Sequence, residues 1–490
     1  MKDLIDLYYK ENSLVKQHLD SYNRFVEYGI QEIVDKVGVI KPNVEGFELH
    51  LGKIRLDKPK IIEADGSQRA ILPSEARSRN LSYASPIFLE IIPSYNGVEK
   101  RLFSEIYIGE LPVMIKSKLC YLENMSEEEL MTAGEDPSDP GGYFIINGSE
   151  RVLVSIEDLA PNKLMTTFEK DNTMVVSKVF STRYGFRART TVERSLDGTM
   201  ICTFPASPKD LLISTLLKAL GLEKKQVLQL IVDDNDVKND FLLNFELDET
   251  KDSKDAIDFI GKKASPGQAE EYRIKRAEVL IDTYLLPHIG TDPSDRIEKA
   301  KYLISMAQRA SLVAAKKIKA DDKDHYSNKR IKLAGDLMEE LFRYAFQFLI
   351  KDISYQATRA DARGRRLAVQ TLVRPDALSD RIRYSMATGN WIAGQTGVSQ
   401  LLDRTSYLSA TSHLRRLISP LSRKHPHFKA RDLHGTHWGK ICPNESPEGP
   451  SCALVKNLAL FCEISVKEQT QEIEETLFRM GLEPLEQKRK

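Results

Sequence analysis

Two aspartate pairs in this chain, Asp234/Asp236 and Asp322/Asp324, have the D-x-D spacing of sites that hold magnesium for phosphoryl transfer. Both stand in highly charged, loop-like surroundings, with neither a glycine-rich turn nor an apolar strand to fix a cage. A zinc reading attaches to His434, His437 and Cys442, with Cys452 or Cys462 as a fourth ligand. No C-x-x-C knuckle supports it, and Trp438 and the nearby prolines are poor material for a small metal cage. The expected metal set is therefore none. The zinc candidates lie mostly in the most distinctive stretch of the chain, the 27 residues from His434 to Leu460. It combines two histidines, a tryptophan, two glutamates and three prolines among tight Gly and Ser turns. No hydrophobic period calls for that mixture; rigid turns carrying polar groups point to a site on loops held by a scaffold.

Upstream of that block the charge changes. From Arg359 to Lys440 there are 15 Lys and Arg against 5 Asp and no Glu, although the whole chain is neutral. Asp233 to Asp258 contributes to the balance, with 10 acids against 3 lysines. Screening confines each charge to roughly 8–10 Å, so a local basic strip in a neutral chain still attracts phosphate. Arg415, Arg416, Arg423, Lys424, Lys429 and Arg431 are interleaved with Tyr407, His413, His425, His427, Phe428 and Trp438. Guanidinium groups beside aromatic faces suit phosphates and unstacked bases. From spacing alone, Arg415 and Arg416 also fit a solvated helix face. Glu448, between Pro447 and Gly449, fits either a carboxylate that orients an arginine or a plain turn residue. The strip by itself suits a free-standing nucleic-acid-binding protein or an assembly subunit that pairs with acidic protein surfaces.

The elements that must carry these groups read as follows. The first 30 residues form a helix with Leu4, Tyr8, Leu14 and Leu19 among charges; short strands and turns run from about Phe47 to Leu122. Alternation from Leu102 to Lys116 breaks at Gly109–Pro112. Tyr143–Ile146, Asn147-Gly148 and Val152–Val154 make a hairpin, because Asn-Gly accepts the positive φ angles of a two-residue turn. A second hairpin spans Arg187 to Phe204, turning at Asp197-Gly198. Helical periodicity begins at Pro208, and Ala334, Leu337, Met338, Leu341, Phe342, Ala345, Phe348 and Leu349 share one face of a helix. The acidic stretch around Asp233 and the polar Lys251–Gln268 segment read as surface loops. Arg366–Arg374 reads as a strand, Asp380–Thr388 as a helix ending near Gly389, and Val398–Leu402 as helical. Leu421–Phe428 has loop chemistry, and Lys467–Met480 is amphipathic.

At 490 residues, two to four structural units are expected. No run of about 18 uncharged apolar residues exists, so no membrane span is expected. Five cysteines without paired spacing fit free thiols in a reducing, cytoplasmic setting. The sequence carries no G-x-x-x-x-G-K-[ST] loop, G-x-S-x-G elbow or H-E-x-x-H helix.

RDLHGTHWGKICPNESPEGPSCALVKNL, Arg431 to Leu458, resembles the signature of the second-largest subunit of multisubunit DNA-directed RNA polymerases. The resemblance continues through Gly397–Arg416, Asp321–Phe342, Gly141–Leu153 and Tyr107–Cys120, and His437-Trp438-Gly439 has the archaeal and eukaryotic form. It implies an α+β, multidomain fold of mixed sheets and helices. The implied division is protrusion 1–165 and 351–395, lobe 166–350, fork 396–460, and the start of an external region with a C-terminal helix at 461–490. It also implies a split subunit, B″, with a B′ subunit carrying the hybrid-binding, wall and clamp portions. Further implied partners are the largest subunit, other polymerase subunits, the DNA template and the nascent RNA. The implied activity is template-directed RNA synthesis from ribonucleoside triphosphates, with Mg2+ held by the largest subunit and no cofactor bound by this chain. By resemblance, Gln400 and Arg416 stand near the RNA of the hybrid, and Arg431 and Glu448 form a pair close to the active centre. Arg415, Arg423 and Lys424 complete the expected nucleic-acid-binding set. Leu421–Phe428 corresponds to a loop at the downstream edge of the bubble. That loop is the second of two fork loops; Trp391–Thr396 corresponds to the first, which is shorter than its eukaryotic counterpart and so is not expected to separate strands.

Overall fold

The computed structural model describes residues 7–9, 12–63, 65–96, 98–99, 105–169, 173–365, 367–466 and 470–482. The fold is α+β, and the chain divides into two units. The first contains residues 1–157, 331–427 and 437–490; the second contains 158–330 with 428–436.

In the first unit, strands Phe47–Leu56, Ala84–Tyr95 and Glu105–Pro112 form the centre of an antiparallel sheet. Ile87, Leu89, Ile91, Ile106 and Ile108 are buried there, as period-two burial of one sheet face requires. The break expected at Gly109 is a register shift within a continuous strand: Ile87 pairs with Gly109, but Phe88 pairs with Tyr107. Such a bulge bends the strand while preserving its core face. Helix Ala334–Asp361 belongs to the same core through Leu337, Leu341, Phe342, Phe346 and Leu349. Its second residue is glycine for a packing reason, since a Cβ on Gly335 would lie 2.0 Å from the Ser21 carbonyl oxygen. Phe348, expected on the buried face, is only half-buried and lies under the Arg381 guanidinium, 3.5 Å from the ring centroid. Helix Asp376–Thr388 ends at Gly389 in the left-handed region, φ 76°.

A second apolar cluster in this unit carries the site. The expected hairpin, Phe144–Ile146 with Ser149–Leu153, turns through Asn147 (φ 49°) and Gly148 (φ 75°). Its Tyr143, Ile145 and Val152 pack with Val15, Ile115, Ala410 and Leu414. Val398–Leu402, expected as helical, contains instead strand Ser399–Leu401, paired antiparallel to Ser149–Leu153. A hydrogen-bonding edge supplied from 250 residues upstream decides that segment, which a local period does not reveal. Likewise the expected strand over 366–374 contains a short helix, Val369–Leu372 (residue 366 lies outside the described residues). At the start of the chain, Lys16–Arg24 and Ile30–Val37 are helical; Leu4 lies outside the described residues.

The second unit has a four-stranded antiparallel meander, Met165–Glu169, Met174–Arg183, Phe186–Arg194 and Met200–Thr203. The expected turn at Asp197-Gly198 joins its last two strands. Helices Ile213–Ala219, Asn235–Glu246, Ser253–Ala264 and Arg296–Ala314 share its core. Two of these correct the expectation of surface loops around Asp233 and over Lys251–Gln268. Val237, Phe241 and Phe245 on one helix, and Ala256, Ile257 and Ile260 on the other, bury an apolar face beneath the charges. Among the described residues, no helix is long and apolar enough to cross a membrane.

Candidate nucleic-acid interface

A cleft of about 500 Å3 in the first unit is lined by Gln400, Ser412, Arg416, Arg423, Glu445 and Glu448, with other residues of the same segments. Strand Arg416–Ile418 forms its floor. It pairs antiparallel with Val455–Asn457, and its Leu417 and Ile418 pair in parallel with Ser155 and Ile156. Strand alternation sends Leu417 into the core, fully buried, and leaves Arg416 and Ile418 on the cleft side. Opposite Leu417, Lys456 is buried with its Nζ 3.0 Å from the Glu157 carboxylate. This ion pair beneath the floor fixes the strand register from below.

The far wall is the turn-rich part of the block. The Ser446 hydroxyl accepts from the Ala453 amide at 2.7 Å and donates to the Val455 carbonyl at 3.1 Å, closing the loop on its own strand. The Ser412 hydroxyl donates to Glu445. Glu448 is exposed in extended backbone just before the 3-10 turn Gly449–Ser451, where Gly449 has a φ of 74°. Glycine takes that positive φ without the steric cost a Cβ would add.

Gln400 is held from two sides. Its Nε2 donates to the Gly397 carbonyl at 2.9 Å, and its Oε1 lies 3.1 Å from His413 Nε2. His413 is buried on helix Tyr407–Leu414, and its Nδ1 accepts from the Asp403 amide at 3.2 Å. Burial, reinforced by the Arg416 charge, pushes the His413 pKa down to about 4 against the pull of Asp403. The Asp403 carboxylate accepts from Ser409 and Thr405, which hold it well below the usual carboxylate range.

The structure thus brings together Gln400, Arg416, Arg423 and Glu448. Lys424 is exposed on the loop after Arg423. Arg415 does not join them: buried, it donates to the carbonyls of Leu14, Ala459 and Leu460 at 2.8, 2.8 and 3.2 Å. Arg431 ends the short helix Phe428–Arg431, which belongs to the second unit, whereas Glu448 belongs to the first. Asp403 and the Glu157–Lys456 pair were missed in the sequence, and His413 was noted there only as an aromatic group of the basic strip, without its bond to Gln400. An Asp-x-Thr-Ser-x-x-Ser pattern at residues 403–409 was the available signal, since those side chains cap turns and helix starts.

Much of the basic strip is neutralised locally. Arg404 pairs with Glu150 (2.6 Å) and Asp139 (2.7 Å), Arg374 with Asp352, and Arg383 with Glu110 and Asp380. Arg416 and Arg423 make no ion pair with any described residue.

The metal candidates are committed elsewhere. Asp234 caps helix Asn235–Glu246, accepting from the Asp236 amide at 3.0 Å, and its other oxygen lies 2.6 Å from Lys317. Asp322 accepts from the Asp324 amide and from His434 Nε2, both at 2.9 Å. His434 thereby belongs to the second unit, while His437 and the cysteines of the block belong to the first. Among the described residues, no group of three or more His, Cys, Asp and Glu could hold a metal ion.

Residues 13–380 match the family model for RNA polymerase beta subunit, and residues 400–464 match that for RNA polymerase Rpb2, domain 3. The chain is 49% identical to DNA-directed RNA polymerase subunit Rpo2N of Methanococcus vannielii, covering 98% of each chain. Against Rpo2N of Methanocaldococcus jannaschii the identity is also 49%, over 98% of this chain and 99% of the relative. Rpo2 of Saccharolobus solfataricus is 47% identical over 99% of this chain, which covers 43% of that longer protein. The residues that line the cleft all fall within the 400–464 match, and the chain belongs to the RNA polymerase beta subunit family.

Proposed function

We propose that this chain, a component of a DNA-directed RNA polymerase, builds one wall of the active-centre cleft and holds the RNA–DNA hybrid and downstream DNA there. One observation carries the reading: Gln400, Arg416 and Arg423 line a single cleft, and neither arginine makes an ion pair with a described residue. Guanidinium groups left out of ion pairs beside a strand paired on both edges suit a polyanion that arrives with its own charges. Gln400 adds a hydrogen bond that reads no sequence, as a template-directed enzyme requires. Arg431 and Glu448 support nucleotide addition from the edge of the centre, and Lys424 supplies charge at the downstream loop.

In this reading the chain is the B″ half of a split subunit in the cytoplasm of an archaeal cell. Residues 166–350 form the lobe, most of them within the second unit; residues 1–165 and 351–395 form the protrusion, 396–460 the fork, and 461–490 the start of the external region. The B′ chain supplies the remainder. The acidic pairs of this chain are engaged with amides, lysine and histidine, so they do not fit a magnesium cage. The Mg2+ that serves nucleotidyl transfer is assigned to the largest subunit.

Photo-crosslinking from a probe at the RNA 3′ end of the reconstituted enzyme is the direct test. Adducts at Gln400 or Arg416 are expected; adducts confined to other subunits would overturn the reading. Arg416→Ala is expected to raise the share of short abortive RNAs, and an unchanged product distribution would count equally against it.

A further inference from the structure

We infer that His413 is a positioning residue that fixes the polarity of Gln400, so that Gln400 meets the nucleic acid as a hydrogen-bond donor to an acceptor oxygen of sugar or phosphate. The geometry sets the direction of each bond. The Asp403 amide donates to His413 Nδ1 at 3.2 Å, so that nitrogen carries no proton. The proton of the neutral imidazole is therefore on Nε2, which faces Gln400 Oε1 at 3.1 Å and donates to it. A carboxamide has one oxygen and two N–H groups. With the oxygen facing His413 and one N–H donated to the Gly397 carbonyl at 2.9 Å, the second N–H is the group left to offer the cleft.

The arrangement is built to hold. Gln400 sits on a strand paired through Val152, and the Asp403 turn is tied by Thr405 and Ser409. The low pKa of the buried imidazole keeps it neutral at working pH, so the relay does not switch. All three groups that face the cleft from this side, Gln400, Arg416 and Arg423, then act as donors, which matches a chain of phosphate and sugar oxygens. Without His413 the Gly397 carbonyl alone orders the amide, and rotation that presents its oxygen, which repels the same partners, is less strongly opposed.

This inference rests on reading the cleft as a nucleic-acid surface, and a double-mutant cycle separates the two. The measurement is the lifetime, in a salt challenge, of reconstituted polymerase stalled on a short RNA–DNA hybrid. Gln400→Ala is expected to shorten it about 3- to 10-fold, the range of one hydrogen bond. His413→Leu, which keeps the buried site apolar, is expected to shorten it by a similar factor alone and to add nothing in the Gln400→Ala background. His413→Gln, which restores an N–H at the same reach, is expected to recover the lifetime to within about twofold. Gln400→Glu, which keeps an acceptor for His413 but removes the donor, is expected to be worse than Gln400→Ala. If Gln400→Ala changes nothing, the cleft reading fails. If Gln400→Ala matters while the His413 effect is absent or multiplies independently, or if Gln400→Glu retains the hybrid, the positioning role fails. Subunit composition of each complex, checked by gel filtration, identifies a variant that acts by misassembly; if His413→Leu and His413→Gln both misassemble, His413 is architectural and the inference is overturned.

Discussion

Two arginine clusters in the first unit use the same side chain for opposite ends. Around Tyr143, Arg77 pairs with Glu135 (2.8 Å) and Glu150 (2.7 Å) and donates to the tyrosine hydroxyl at 2.8 Å, while Arg404 closes the circle through Glu150 and Asp139. Burial opposes the charge of Arg77, but Glu135 and its neighbours more than offset it and raise its pKa. Further along the chain from Arg404, Arg416 and Arg423 face a cleft with no ion-pair partner among the described residues. The first cluster is satisfied by its own protein and is structural. The second is left for something else to satisfy. A basic strip is therefore divided by its counter-ions, and a sequence count of its charge merges the two kinds.

Acid is expected to blur this division most, because two buried histidines lie behind the cleft. His18 sits against the Leu414 carbonyl at 2.7 Å and His413 against Gln400; burial pushes both down to about 4. The unfolded chain takes up protons below about pH 6.5 that the folded chain refuses until about pH 4. Their contribution is fully present above pH 6.5 and is lost as pH falls through that window, at up to about 3 kcal/mol for each. Denaturant unfolding of the purified chain at pH 7 and pH 4.5 measures it. His18→Gln is expected to flatten the decline; an equal slope in the variant would remove His18 from the account.

Breaking the closed cluster comes next. Arg77→Ala leaves Glu135 and Glu150 facing each other without their cation. A quarter of the Arg77 side chain stays in water, so the expected loss is about 2–4 kcal/mol, short of a fully buried pair. Thermal unfolding reads this directly. Assembled enzyme below the transition is expected to retain hybrid as well as wild type, and a selective loss of retention would mean that the two clusters are coupled.

How far the sequence foretold this division depends on where each partner lies in the chain. The Asn147-Gly148 hairpin and the helix end at Gly389 were legible because their determinants are local. The strand at Ser399–Leu401 was not, since its hydrogen-bonding edge is Ser149–Leu153. Gln400, Arg416, Arg423 and Glu448 were recognisable by residue type and resemblance, and the fold gathers them. Arg415 differs from Arg416 by one position and by everything else, because Leu14, Ala459 and Leu460 supply the carbonyls that enclose it. Nothing near residue 415 announces those partners. His413 was visible as an aromatic beside cations, but its bond to Gln400 depends on a turn whose shape the Asp403 carboxylate sets.

Opening the second cluster further should act on binding without touching stability. Arg416→Ala removes a half-buried cation that holds no ion pair with the described residues, so unfolding is expected to shift by less than about 0.5 kcal/mol. Retention of the hybrid is expected to weaken by about 1–2 kcal/mol, and the slope of log affinity against log salt to fall by about one. A loss of retention with an unchanged salt slope would mean that Arg416 does not meet phosphate. Arg404→Ala is the control from the closed cluster, expected to leave the slope intact.

The smallest effect expected in this comparison belongs to Glu448, an acid at the edge of the open cleft. Its side chain is exposed, and its backbone precedes the Gly449–Ser451 turn in an extended conformation that alanine adopts equally well. The loop around it is closed by Ser446 on Ala453 and Val455, and none of those bonds involves the Glu448 carboxylate. Glu448→Ala should therefore leave assembly and stability within about 0.5 kcal/mol of wild type. What changes is the local field: removing one negative charge from a cleft that already holds Arg416 and Arg423 favours the polyanion on both sides of each nucleotide addition. Tighter holding of the complexes before and after addition, unmatched in the transition state, raises the barrier between them. The expected result is a change of a few-fold in elongation rate at saturating nucleotide, with hybrid lifetime equal to or longer than wild type. If the variant complexes instead fail to assemble, the carboxylate belongs with the closed cluster as an architectural group.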